Sequence, residues 1–131
     1  MVLKEPVSLV VCLLALVFLM LGGLFVATPA PAAWIYGLPS RDPAALFYVR
    51  AIGFRDIALA AYLLGLTLTR QRRALSIVLT VTIIIPTGDL LLLASSGAGG
   101  ATSYLLHGTS LLCFSALVLW TRQVLQVSAR Q

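Results

Sequence analysis

Residues 7–28 read VSLVVCLLALVFLMLGGLFVAT, 22 positions without one charged side chain. About 20 consecutive apolar residues suffice to cross the hydrocarbon of a bilayer as a helix, so this run reads as a transmembrane span. The segment Ala27-Thr-Pro-Ala-Pro-Ala-Ala33 that follows has the small residues of a cleavage region. The run nevertheless exceeds the apolar core of about 7–15 residues typical of a signal peptide. It is therefore expected to be a retained helix.

The remaining chain repeats the pattern. Of 131 residues, 60% are hydrophobic and 10% charged, against roughly a quarter charged in soluble domains. A water-soluble domain this short leaves too much surface exposed to hide that apolar content. Four Pro residues, at 29, 31, 39 and 43, interrupt the region after the first run, and Trp34 and Tyr36 there suit the headgroup layer. Asp42-Pro43 is a helix start, with Asp42 as N-cap and Pro43 in the first turn. Spans are expected over about 7–28, 43–68, 74–94 and 102–120. The basic turn Thr69-Arg-Gln-Arg-Arg73 and the flexible link Ser95-Ser-Gly-Ala-Gly-Gly100 separate the last three. The fold class is thus all-α: one four-helix transmembrane bundle over residues 1–131, with a Pro-rich first outer loop.

If the Arg70/Arg72/Arg73 turn is cytoplasmic, Lys4, Arg122 and Arg130 lie on the same side. That places six basic residues against Arg41 alone. The positive-inside rule then puts both termini in the cytoplasm. The net charge of +5 follows span ends, not a groove-lining patch, so nucleic acid is not expected as a partner. Cys12 and Cys113 are far apart in the sequence and His107 is the only histidine, so no metal-ligand spacing occurs. Nor does any motif for a phosphate loop, haem or other cofactor. Homo-oligomerisation is open to a chain of this size.

Charges inside the spans carry the functional argument. Each costs about 2.5–3.5 kcal/mol near the bilayer centre on insertion scales, yet Arg50, Arg55, Asp56 and Asp89 all fall there. At about 1.5 Å per residue, Arg50, Asp89 and His107 lie at similar depths in the outer half, with Arg55 and Asp56 nearer the midplane. On the second span Gly53, Asp56 and Ala60 share one stripe, beside Tyr48, Ile52, Arg55, Leu59 and Tyr62. Arg50 points elsewhere and either pairs with another helix or snorkels outward. Pro86 removes the hydrogen bond to the Thr82 carbonyl and should kink the third span just before Asp89. Gly22, Gly23 and Gly53 suit close helix packing.

The segments Tyr36-Gly-Leu-Pro-Ser-Arg-Asp-Pro43 and Tyr48-Val-Arg-Ala-Ile-Gly-Phe-Arg-Asp-Ile57, with Gly88-Asp89 and His107-Gly108, resemble domain-of-unknown-function family 4267. That family is similar to DoxX-like small four-helix membrane proteins. The resemblance implies a membrane architecture and no defined reaction. From the residues themselves, Asp56, Asp89 and His107 are candidates for acid–base work, and Tyr48, Arg50 and Arg55 for ligand binding. The leading expectation is a small lipophilic ligand in a polar intramembrane pocket, with isomerisation or cyclisation as the chemistry. A non-enzymatic membrane subunit or scaffold is second. A small proton-coupled transporter is third, since the first span carries no acidic residue inside it.

Overall fold

The computed structural model describes residues 5–97 and 99–128; Lys4 and Arg130, counted above for orientation, lie outside them. The described residues form helices α1 (Pro6–Ala27), α2 (Pro29–Tyr36), α3 (Pro43–Leu68), α4 (Arg72–Thr82), α5 (Ile84–Ser96) and α6 (Ala101–Ser128). No strand occurs among them. Four spans are long and apolar enough to cross a membrane: α1, α3, α4 with α5, and α6. The chain is a helical, multi-pass membrane protein.

Local chemistry accounts for most boundaries. Asp42 caps α3 by accepting from the Ala45 N–H at 3.0 Å, with Pro43 in the first turn. The third span is broken at Ile83 into α4 and α5. Pro86 has no N–H to offer the Thr82 carbonyl, so the ladder fails one turn before the proline. α6 runs beyond the expected end at residue 120. Arg122, Gln123 and Gln126 let the helix continue past the apolar run into a polar layer.

The Pro-rich first outer loop contains a short helix over residues 29–36. Pro29 and Pro31 fall in its first turn, where N–H groups have no partner within the helix, so neither proline breaks a bond. Gly37 ends it in the left-handed region, with φ +106°.

α1 packs along α3 more extensively than any other helix pair. Gly22 and Gly53 make that approach possible. A Cβ on Gly53 would lie 2.7 Å from the Gly22 carbonyl oxygen, and one on Gly22 would lie 2.6 Å from the Gly53 carbonyl oxygen. Gly53→Val should lower stability by about 1–3 kcal/mol through overpacking. Gly65→Val on the same helix, where a Cβ meets nothing within 4 Å, should change little. Denaturant unfolding of both variants in detergent micelles measures this; equal losses would refute the close α1–α3 approach.

The apolar core has two parts. One holds Val11, Ala15, Phe18, Leu59, Leu63, Leu79 and Phe114 across α1, α3, α4 and α6, with the Phe18 and Phe114 rings 5.5 Å apart. A smaller one joins Phe25, Ala32 and Tyr36. The space beside the intramembrane polar groups is lined by Phe18 of the first part and Phe25 of the second.

Candidate functional site

Asp89 sits on α5 less than two turns past the break, and its carboxylate is the hub of the site. It is 7% exposed, His107 on α6 is 6% and Asp56 on α3 is 5%. Tyr36 Oη donates to Asp89 Oδ1 at 2.8 Å. His107 Nδ1 lies 3.3 Å from Asp89 Oδ2, and Arg55 Nη2 lies 3.9 Å from the same oxygen. Arg55 Nε donates to Asp56 Oδ1 at 3.1 Å. Four of the expected residues, Arg55, Asp56, Asp89 and His107, therefore converge from three spans.

Tyr36 completes the set from the short helix α2. Its sequence context suited an interfacial anchor, yet it is buried. Its ring packs edge-on against His107, with centroids 4.8 Å apart. Burial, reinforced by the hydrogen bond to Asp89, pushes the phenol well above its ordinary range, so Tyr36 stays a donor. The sequence signal for it is slight: Tyr36 opens the first family-like segment and precedes the glycine that ends α2. Trp34 is exposed, as an interfacial residue would be.

The structure does not bring Tyr48 or Arg50 to this cluster. Tyr48 is 69% exposed, with its ring against Phe47. Arg50 also faces outward.

The hydrogen bonds fix one proton. His107 Nε2 lies 3.3 Å from the Tyr36 carbonyl oxygen, which can only accept, so Nε2 carries a hydrogen. Nδ1 then meets Asp89 Oδ2 favourably only if a further proton lies between them. It belongs either to an imidazolium beside a carboxylate or to a carboxylic acid beside a neutral imidazole. The charge sum agrees. Arg55 balances one aspartate, and the shared proton balances the other, so the cluster is neutral overall, as hydrocarbon surroundings demand.

Beside the cluster is a space of about 40 Å³, reached by Phe18, Phe25, Tyr36, Arg55, Asp89 and His107. One water needs at least about 10–15 Å³ on this measure, so about three or four fit. Ligand pockets span about 300–1,000 Å³, so the body of a lipophilic molecule does not fit here; a small polar end does. Among the described residues no group of His, Cys, Asp and Glu side chains is arranged to hold a metal ion.

A family model described as a domain of unknown function, DUF4267, matches residues 15–121, a range that contains the whole cluster. No curated protein and no solved structure matches the chain.

Proposed function

We propose that this chain, which belongs to the DUF4267 family, receives the polar end of a small lipophilic molecule at Arg55 and exchanges a proton with it through Asp89 and His107. The observation that supports this reading is the double engagement of the His107 ring, with Nε2 3.3 Å from the Tyr36 carbonyl oxygen and Nδ1 3.3 Å from Asp89 Oδ2; with a hydrogen on Nε2, the second contact calls for one of its own. A group that can both give and take one proton, beside a guanidinium that polarises an oxygen, suits an acid–base isomerisation or cyclisation. Such a reaction returns the proton and needs no co-reactant. Both termini lie in the cytoplasm in this reading, which puts Asp89 and His107 in the outer half of the membrane.

The test is hydrogen exchange into a bound molecule. The full chain is equilibrated in heavy water, and its retained lipophile is extracted and weighed by mass spectrometry. Deuterium should enter at a carbon position in the wild type and not in Asp89→Asn. No retained lipophile, or equal labelling in both proteins, would remove the reading.

A structural role is the second reading. It is favoured because Asp89 ties α2, α3, α5 and α6 together through partners already within the bundle. It predicts that Asp89→Asn behaves as wild type in every assay.

A further inference from the structure

We infer that the lipid-facing groove between α3 and the α4–α5 span lodges the apolar body of an uncharged, oxygen-bearing lipophile, a long-chain ketone, with its oxygen accepting from Arg55. The inference rests on the proton-exchange reading above and names the class of molecule that site receives.

Three observations carry it. First, the groove has the volume that the space at the cluster lacks, about 500 Å³, and its walls are apolar: Leu59 and Tyr62 from α3, Ile77, Val81 and Ile85 from α4 and α5. Arg55 and Ile85 border both the groove and the space beside Asp89, so the two adjoin. From Arg55 to Tyr62 the groove follows α3 for about 10 Å, away from the cluster toward the basic turn.

Second, the arginine has donors to spare. Its Nε is held by Asp56, but Nη2 stands 3.9 Å from Asp89, beyond hydrogen-bond length. A guanidinium carries five N–H groups, and the Arg55 side chain is 37% exposed and borders the groove.

Third, the charge sum selects the guest. The cluster with its shared proton is already neutral, so a carboxylate or phosphate arriving at Arg55 would leave one uncompensated negative charge in a low-dielectric setting. A ketone oxygen adds none. The groove between α1 and α6, lined by Leu14, Val17, Leu105, Thr109 and Cys113 among others, is of similar volume and has no charged residue. It serves as an internal control for ordinary bilayer lipid.

The full chain is reconstituted in phosphatidylcholine nanodiscs with hexadecan-2-one or hexadecanoic acid, each carrying the same mid-chain diazirine, and photolabelled sites are mapped by mass spectrometry. The ketone should label the peptides around Tyr62 and Val81 about tenfold above those of the α1–α6 groove, a difference of about 1.4 kcal/mol. Arg55→Gln should abolish that excess. So should Val81→Trp, which fills the groove at a position already 57% exposed and leaves the cluster intact. Labelling by the acid equal to that by the ketone would overturn the choice of guest. Equal labelling of the two grooves means bulk lipid only and overturns the site. If that occurs while deuterium exchange still depends on Asp89, the groove assignment falls and the proton site stands; with no retained molecule, both fall.

Discussion

Asp89→Ala is expected to lower the stability of the protein by about 2–6 kcal/mol, because it orphans two buried polar groups at about 1–3 kcal/mol each. The Tyr36 hydroxyl loses its 2.8 Å acceptor, and His107 Nδ1 loses its partner at 3.3 Å. Water in the adjoining space, which both groups line, can offset part of this loss and sets the lower end of the range. The loss is not that of a bare charge: Arg55 keeps Asp56 at 3.1 Å, and the departing proton leaves with the carboxyl. Asp89→Asn separates these effects. Its amide oxygen accepts from Tyr36, and its N–H₂ donates to Nδ1 of an imidazole whose Nε2 already carries hydrogen. Every bond of the hub is retained without the mobile proton, so stability should stay within about 1 kcal/mol of wild type. Unfolding of both variants in one detergent system gives the comparison. Equal losses for Ala and Asn would show that the hub depends on a charge, contrary to the proton assignment.

That contrast shows what the sequence could and could not convey. Asp56, Asp89, Arg55 and His107 were legible because hydrocarbon makes each conspicuous, although helical rise puts only Asp89 and His107 at the same depth and leaves Arg55 and Asp56 nearer the midplane. The break before Asp89 was legible from Pro86 alone. Tyr36 was not. A tyrosine among prolines near a span end suits the headgroup layer as well as a core, and only the fold of α2 turns its hydroxyl inward. The same ambiguity applies to Arg50 and Tyr48. Both sit on the span that carries Arg55 and Asp56, and periodicity separates faces of a helix without saying which face meets a neighbour and which meets lipid. The groove was half visible, since Arg55, Leu59 and Tyr62 share a stripe; its far wall required the packing of α4 and α5.

The position of Tyr36 depends on the residue after it, and Gly37→Val is expected to show this. Gly37 has φ +106°, where a β-branched side chain is strained by about 1–3 kcal/mol. A Cβ there would also stand 2.7 Å from Ser103 Cβ and 2.9 Å from Leu93 Cδ2, adding about 1–3 kcal/mol of overpacking. Gly97 isolates the first effect: its φ is +64° and a Cβ would meet nothing within 4 Å, so Gly97→Val should show strain alone. The excess loss in Gly37→Val then reports α2 being pushed away from α5 and α6. Since Ser103 also donates to the Ile35 carbonyl at 3.4 Å, relief of the clash moves the end of α2 that carries Tyr36. If that movement takes Tyr36 off Asp89, then Tyr36→Phe, which costs about 1–3 kcal/mol alone, should cost almost nothing added to Gly37→Val. Full additivity in the double-mutant cycle would instead mean that the hydroxyl keeps its carboxylate while α2 is displaced, and Gly37 would have no part in seating the hub.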